Sequence, residues 1–338
     1  MSYRSSETMI HLIAQIAPQR STQYADLATT LAPHELRLSL PDEVAPEIRP
    51  LTLAGQAYLQ FDLPHMPDRK QRYQLGTLAM SNAFFRCYEK LGTVEGPLLQ
   101  PVETSFRPKL PPDLAMSRRY RGKTNEMFTH FLCNIARFSS RFKETSWEEL
   151  TVFDPLSGGG TTLLTALVLG ANAAGVEQND KDVESTSAFL QQYLREARIG
   201  CQVRKERVTG AGRRWAFEIG RRPHQRCLIA HGDTAKAVAL ISGFKPHLIV
   251  ADLPYGIQHH GPLENLLTEA LPVWASLLPK GGAMALAWES ARFPREEMIA
   301  LVEAASPLVV RNQPPYDALA HRVDRVIKQR DVLVAGKA

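Results

Sequence analysis

The stretch from Thr151 to Glu177, TVFDPLSGGGTTLLTALVLGANAAGVE, constrains this chain more than any other. Thr151 to Asp154 is a short apolar run ending in an acid, as a strand buried on both faces would be. Ser157 to Gly160 is a glycine turn, and Thr161 to Leu169 is an apolar, helix-competent run that Gly170 stops. Ala173 to Val176 is a second short strand, and it ends on Glu177. A strand–turn–helix–strand unit of this kind opens a nucleotide-binding α/β sheet. Glycines at 158, 159 and 160 put no Cβ between the backbone and a ligand. Thr161 and Thr162 fall where a helix start exposes free N–H groups to an anion. Glu177 lies about 20 residues past the first strand's end, where a carboxylate can accept hydrogen bonds from ribose hydroxyls.

Three ligands compete for such a unit. A phosphate-binding P-loop needs Gly-Lys-Ser/Thr after its glycines, and Gly160-Thr161-Thr162 stands there instead. A dinucleotide fingerprint needs its glycines directly after the strand. Here Asp154-Pro155-Leu156-Ser157 intervenes. The remaining ligand is S-adenosylmethionine. The run Asp-Pro-x-x-Gly-x-Gly-Thr-Thr at 154–162 resembles the first motif of class I methyltransferases, above all those that act on exocyclic amino groups. That resemblance implies Asp154 near the methionine amino end and Glu177 near the ribose. Pro155, Ser157, Gly158, Gly160, Thr161 and Thr162 are then the other cofactor contacts of the motif.

A second motif supports the first. His247 to Asp252, HLIVAD, reads as a buried strand ending in an acid, and it runs into Asp252-Leu253-Pro254-Tyr255-Gly256. This resembles the Asp/Asn-Pro-Pro-Tyr motif of amino-methyltransferases, with Leu253 where the commoner motif has proline. An exocyclic base amine is a poor nucleophile, because its lone pair is conjugated with the ring. A carboxylate and a backbone carbonyl can accept its two hydrogens and aim the lone pair, a gain of orientation and local electrostatics. Asp252 is the expected carboxylate, and Leu253 supplies the carbonyl, which survives the change from proline. Pro254 shapes the turn, and Tyr255 stacks on a base drawn out of its helix. Asp252 also counts among the cofactor contacts. Asn312-Gln313-Pro314-Pro315-Tyr316 looks similar but has no acid directly before its prolines, and it reads as a turn. His259 and His260 follow the catalytic turn and read as solvated.

Upstream, Thr124 or Asn125 can cap a helix beginning near Glu126. Gly122-Lys123-Thr124-Asn125-Glu126 resembles the corresponding start in Trm11-like RNA guanine-N2 methyltransferases, which implies Thr124 and Asn125 at the cofactor's methionine end. In class I methyltransferases an acid after the third strand accepts the adenine amino group. Asp233, in His231-Gly232-Asp233, fits that place in the order.

Composition adds bounds. With 338 residues, 44% hydrophobic and 22% charged, the chain can bury a proper core as one large or two modest domains. No apolar run approaches the about 20 residues of a membrane span. The four cysteines show no CxxC spacing, so no structural metal is expected and a cytoplasmic setting fits. Net charge is +5, and basic residues cluster at 107–143 and 195–226. Two such clusters beside a methyl-donor motif point to nucleic acid, with RNA favoured over DNA and no membrane partner.

Along the chain, the IHLIAQIA segment at the N-terminus reads as a small helix, Ala57 to Leu63 as a strand, and Tyr73 to Leu91 as a helix stopped by Gly92. A proline-interrupted linker at 101–112 places the domain boundary near its end. Asp182 to Ala197 reads as a helix, Cys201 to Val208 as a strand, and Gly210 to Pro223 as an Arg-rich surface insertion. The expected fold is α/β, a class I methyltransferase: a Rossmann-like, mostly parallel seven-stranded sheet with an antiparallel last strand, over 113–338. A small α+β unit, 1–112, precedes it as an accessory or recognition unit. The expected activity is methylation of an exocyclic base amine of RNA, guanine N2 of tRNA or rRNA. DNA N6-adenine or N4-cytosine methylation is the alternative, and a non-catalytic nucleic-acid-binding protein of the same fold is a third reading.

Overall fold

The computed structural model describes residues 9–18, 26–41, 46–120, 122–254, 260–323 and 329–338. The chain divides into two compact units, Met1–Arg107 and Pro108–Ala338.

The first unit contains β1 (Ile10–Ile16), α1 (Leu27–Ser39), β2 (Arg49–Leu53), β3 (Gln56–Leu63), α2 (Arg69–Gly76), β4 (Ser81–Leu91) and β5 (Val94–Pro101). These strands form an antiparallel sheet in the order β2-β3-β1-β4-β5. Two expectations are overturned here. IHLIAQIA is the central strand β1, hydrogen-bonded to β3 on one side and β4 on the other. Tyr73 to Leu91 is the end of α2, a short connection and the eleven-residue strand β4. Short apolar runs fit either helix or strand, and pairing with distant segments decides between them. The buried Glu35 carboxylate on α1 accepts the N–H groups of Ala79 and Met80, at 2.8–3.1 Å, which fixes the entry to β4.

The second unit runs α3 (Asp113–Ser117), α4 (Glu126–Phe138), β6 (Thr151–Asp154), α5 (Thr161–Leu169), β7 (Asn172–Glu177), α6 (Asp180–Glu196), β8 (Cys201–Val208), β9 (Gly212–Ile219), β10 (Gln225–Gly232), α7 (Ala237–Leu240), β11 (Leu248–Asp252), α8 (His260–Leu277), β12 (Ala283–Glu289), α9 (Arg295–Ala305), β13 (Val309–Arg311) and β14 (Arg330–Gly336). One sheet takes all nine strands, in the order β13-β14-β12-β11-β6-β7-β10-β9-β8. The run β12-β11-β6-β7-β10 is parallel, and β14 enters antiparallel to β12. β6 is buried along its whole length, and so is β12, as strands covered by helices on both faces must be.

Seven of these strands make the class I methyltransferase sheet, with its antiparallel last strand. The other two are the difference from expectation. Gly210 to Pro223 is not a loose insertion: Gly212–Ile219 pairs with β10 and with β8, so a hairpin widens the sheet by two strands. Trp215, Phe217 and Ile219 alternate inward and hold that hairpin to the core.

Candidate active site

The chain reverses its direction of growth across the sheet between the neighbouring strands β6 and β11. Open α/β sheets hold their ligands at this point, beyond the carboxyl ends of the strands. Asp154 ends β6, Glu177 ends β7, Gly232 and Asp233 follow β10, and Asp252 ends β11. Together they line a cavity of about 570 Å³, within the ~300–1,000 Å³ range of small-molecule and cofactor sites.

The glycine turn is built as its residue types require. Gly158 has φ +47° and open space where a Cβ would stand, so only backbone faces the cavity there. Gly160 is the N-cap of α5 in the left-handed region, φ +84°, and a Cβ on it would strike Thr186. Ser157 ties the turn to β7 through its N–H and hydroxyl, both donated to the Val176 carbonyl. Glu177 closes the other side: its carboxylate accepts the N–H of Gly158 at 2.8 Å and of Asn179 at 2.7 Å.

Most residues expected at a cofactor site meet in this one cavity: Thr124, Asp154, Pro155, Ser157, Gly158, Thr161, Thr162, Glu177, Asp233 and Asp252. Asn125 and Gly160 lie outside the lining. Asn125 instead caps α4, its side-chain oxygen accepting the Phe128 N–H. Leu253 and Pro254 line the cavity; Tyr255 and His259 fall outside the described residues, as does the side chain of His260.

Leu253 gives its departure from the commoner motif a physical basis. Its N–H donates to the Ala287 carbonyl at 2.8 Å, and its side chain is buried in the core. Proline has no N–H to make that bond.

Tyr120, Gln178, Thr234 and Leu266 also line the cavity, and no sequence motif marks them. The Tyr120 hydroxyl lies 2.5 Å from that of Thr161, and its ring fills the space where a Gly159 Cβ would stand. The tyrosine sits inside the basic run Arg118–Lys123, whose charge masked it. Gln178 follows Glu177 directly and also lines the cavity. Arg330, on β14, was missed as well. Its guanidinium lies 3.6 Å from Asp252 Oδ2 and over the Phe128 ring at 4.7 Å, and the Thr124 hydroxyl donates to the same oxygen at 2.6 Å. The only signal in the sequence was a single arginine some 80 residues downstream of its partner.

Burial sets the electrostatics. The Asp154 carboxyl is pushed up to about 7, first by burial and further by Glu177 and Asp252, while the Thr162 hydroxyl and the Leu156 N–H oppose. Burial also raises Asp252, against the pull of the Arg330 guanidinium and the Thr124 hydroxyl. Four carboxylates line the cavity, and no lysine, arginine or histidine does so among the described residues. A polyphosphate would be repelled from such a site, whereas a compact cation with hydroxyls would be held. Among the described residues no grouping of His, Cys, Asp and Glu is suited to a metal ion, and no helix is long and apolar enough to cross a membrane.

Part of the upstream basic cluster is structural. Arg118 is buried and donates to the Ser185 carbonyl and hydroxyl, at 2.8 and 2.9 Å. Arg137 is fully buried and donates to the Thr145 carbonyl. Lys123 donates to the Ala115 carbonyl and pairs with Glu126.

The strand order, the switch point and the carboxylate-lined cavity define a class I methyltransferase fold. No protein-family model matches the sequence, and neither does any curated protein. Solved structures do match. TrmN from Thermus thermophilus is 18% identical at a TM-score of 0.41, covering 87% of this chain and 60% of its own. The 16S rRNA N2 methyltransferase RsmC of T. thermophilus, in complex with AdoMet and guanosine, is 14% identical at 0.40, covering 87% and 59%. A precorrin-6y C5,15-methyltransferase from Geobacter metallireducens is 11% identical at 0.37, covering 65% and 93%. This chain thus spans about 60% of the length of TrmN and RsmC.

Proposed function

We propose that this chain is an S-adenosylmethionine-dependent methyltransferase acting on an exocyclic base amine of RNA, with guanine N2 of tRNA or rRNA as the first target and Trm11-like enzymes as its nearest functional class. The observation that carries the cofactor is the charge of the cavity. S-adenosylmethionine brings a sulfonium, an ammonium and one carboxylate, a net positive charge with no phosphate, and it suits a pocket lined by four acidic side chains. Asp154, with Thr162 beside it, would hold the ammonium end. Glu177, already fixed by two backbone N–H groups, would take the ribose hydroxyls. Asp233 would accept the adenine amino group. When bound, the cofactor supplies a methyl group on a positively charged sulfur.

The remaining work falls to the chain. Asp252 and the Leu253 carbonyl would accept the two hydrogens of the base amine and orient its lone pair. Thr124 and Arg330 hold the Asp252 carboxylate in place and favour its ionised form. Tyr255 would stack on the extruded base.

The test is nucleoside mass spectrometry after incubating the purified protein, isotopically labelled S-adenosylmethionine, and tRNA, rRNA and DNA from a strain lacking it. Label in N2-methylguanosine of RNA is the expected result. Label only in N6-methyladenine or N4-methylcytosine of DNA would replace RNA with DNA. A protein that fails to bind S-adenosylmethionine overturns the proposal.

A further inference from the structure

The cavity has four carboxylates, so it cannot itself attract a polyanionic substrate. If the substrate is a nucleic acid, its phosphates must be held outside the cavity. The two-stranded widening of the sheet carries cations to a place that fits this need.

Register sets that place. Arg207 on β8 pairs with Arg213 on β9, Arg213 with His231 on β10, and His231 with Glu177 on β7. Directly paired residues share one face. A single lateral row therefore leads from a cavity carboxylate, Glu177, to the basic edge at Arg207. Lys205 lies on the same face, two residues before Arg207, with its ammonium 4.6 Å from the centre of the Trp215 ring. These groups line an open groove together with Asp180, Glu206 and Gly212.

The charges there divide into two sets. Arg213 pairs with Asp180 and with Glu184 at 3.2 Å, so the acids of α6 are engaged by it. His231 Nδ1 lies 3.9 Å from Asp180. On the opposite face Arg204 pairs with Glu218 and Arg214 with Glu206, both at 2.7 Å. Lys205 and Arg207 are exposed, and neither makes a direct ion pair among the described residues, although the Lys205 charge helps to hold the Asp180 carboxyl low. Two cations are thus left over on the face that continues into the cavity.

We infer that the β8–β9 hairpin is a phosphate-backbone contact surface for the nucleic-acid substrate, with Lys205 and Arg207 as its contacts. The inference rests on the methyltransferase reading above and adds to it where the polymer lies. Five strand spacings separate β8 from β11, roughly 24 Å at ~4.8 Å each. The hairpin therefore grips backbone well away from the methylated base and carries no base selectivity.

The experiment is binding of fluorescently labelled total tRNA to the full chain across a salt series, with S-adenosylmethionine affinity measured in parallel by calorimetry. Lys205→Gln with Arg207→Gln is expected to weaken tRNA binding by about tenfold and to reduce the slope of log K against log salt by about 1.4–1.8, as for two lost phosphate contacts. Cofactor affinity is expected to stay the same. Arg204→Gln, on the opposite face, is the control and should leave the slope unaltered. Arg207→Gln alone, a side chain with no hydrogen bond or ion pair among the described residues, serves if the double variant is unstable, with half the slope change expected. Unchanged tRNA binding in these variants overturns the hairpin inference and leaves the methyltransferase reading intact. If the native chain binds the cofactor but no tRNA, both the hairpin and the RNA substrate fall. If it binds neither, the parent reading itself has failed.

Discussion

At the scale of single residues, two positions of the first motif have separable roles. Gly160 is structural. Its φ of +84° is left-handed, and Thr186 fills the space a Cβ would need. Gly160→Ala therefore adds strain of about 1–2 kcal/mol from the left-handed backbone alone. At this domain size that is a fall in Tm of roughly 2–8 °C, to be read by scanning calorimetry without ligand. An unshifted Tm would mean the turn relaxes to another conformation. Asp154 is electrostatic. Its carboxyl is raised from 3.8 to about 7, so the folded chain holds a proton that the unfolded chain releases. The stability this proton lends is full below about 4 and is lost as pH rises through 7. A bound cation favours the carboxylate, so cofactor affinity is expected to rise as pH climbs through 7. Binding at pH 6 is expected to release a proton, detectable by calorimetry in buffers of different ionisation enthalpy. Asp154→Asn should flatten both profiles; a profile that keeps its slope assigns the titration to another group.

At the scale of elements, the buried parallel strands were legible, and the antiparallel ones only in part: β3 and β8 read as strands, whereas β1, β4 and β9 did not. β6, β7, β11 and β12 are short apolar runs bounded by glycine or acid, because helices cover both their faces. Their sequence carries its own boundary. The same apolar density in Ile10–Ile16 suited a helix as well as a strand, and only β3 and β4, dozens of residues away, decide it. In 212–219 the arginines hid a strand, since Arg213 and Arg214 point to opposite faces and each finds acids there. The candidate site divides in the same way. Its acids and glycines belong to contiguous motifs, whereas Tyr120 and Arg330 reach it only through folding. The Arg330–Asp252 contact joins β14 to β11 across β12, so it can be measured as a coupling between elements. In a double-mutant cycle of Arg330→Met and Asp252→Asn, the two singles together are expected to cost more than the double by ~0.5–3 kcal/mol in denaturant unfolding. Zero coupling would mean that Arg330 acts through contacts other than Asp252, the one with the Phe128 ring among them.

At the scale of the whole molecule, the chain consists of two compact units, each with a sheet of its own. Every residue lining the carboxylate cavity belongs to Pro108–Ala338. That unit also has a continuous sheet of its own and a core built on Trp274, Trp288 and the leucines of β12 and β14. Met1–Arg107 has a separate five-stranded sheet and its own buried carboxylate clamp at Glu35. Cofactor binding is therefore expected to survive removal of the first unit. The chain beginning at Pro108 should unfold cooperatively and bind S-adenosylmethionine with a Kd within about threefold of the full chain, a difference under ~0.7 kcal/mol. The hairpin cations remain in this truncated chain, so a salt-dependent share of tRNA affinity should remain with it. Any affinity lost on truncation that salt does not modulate would then belong to the first unit and mark it as the reader of RNA shape or sequence. If truncation abolishes cofactor binding in a folded protein, the cavity depends on residues outside its own unit, and the accessory role of the first unit has to be given up.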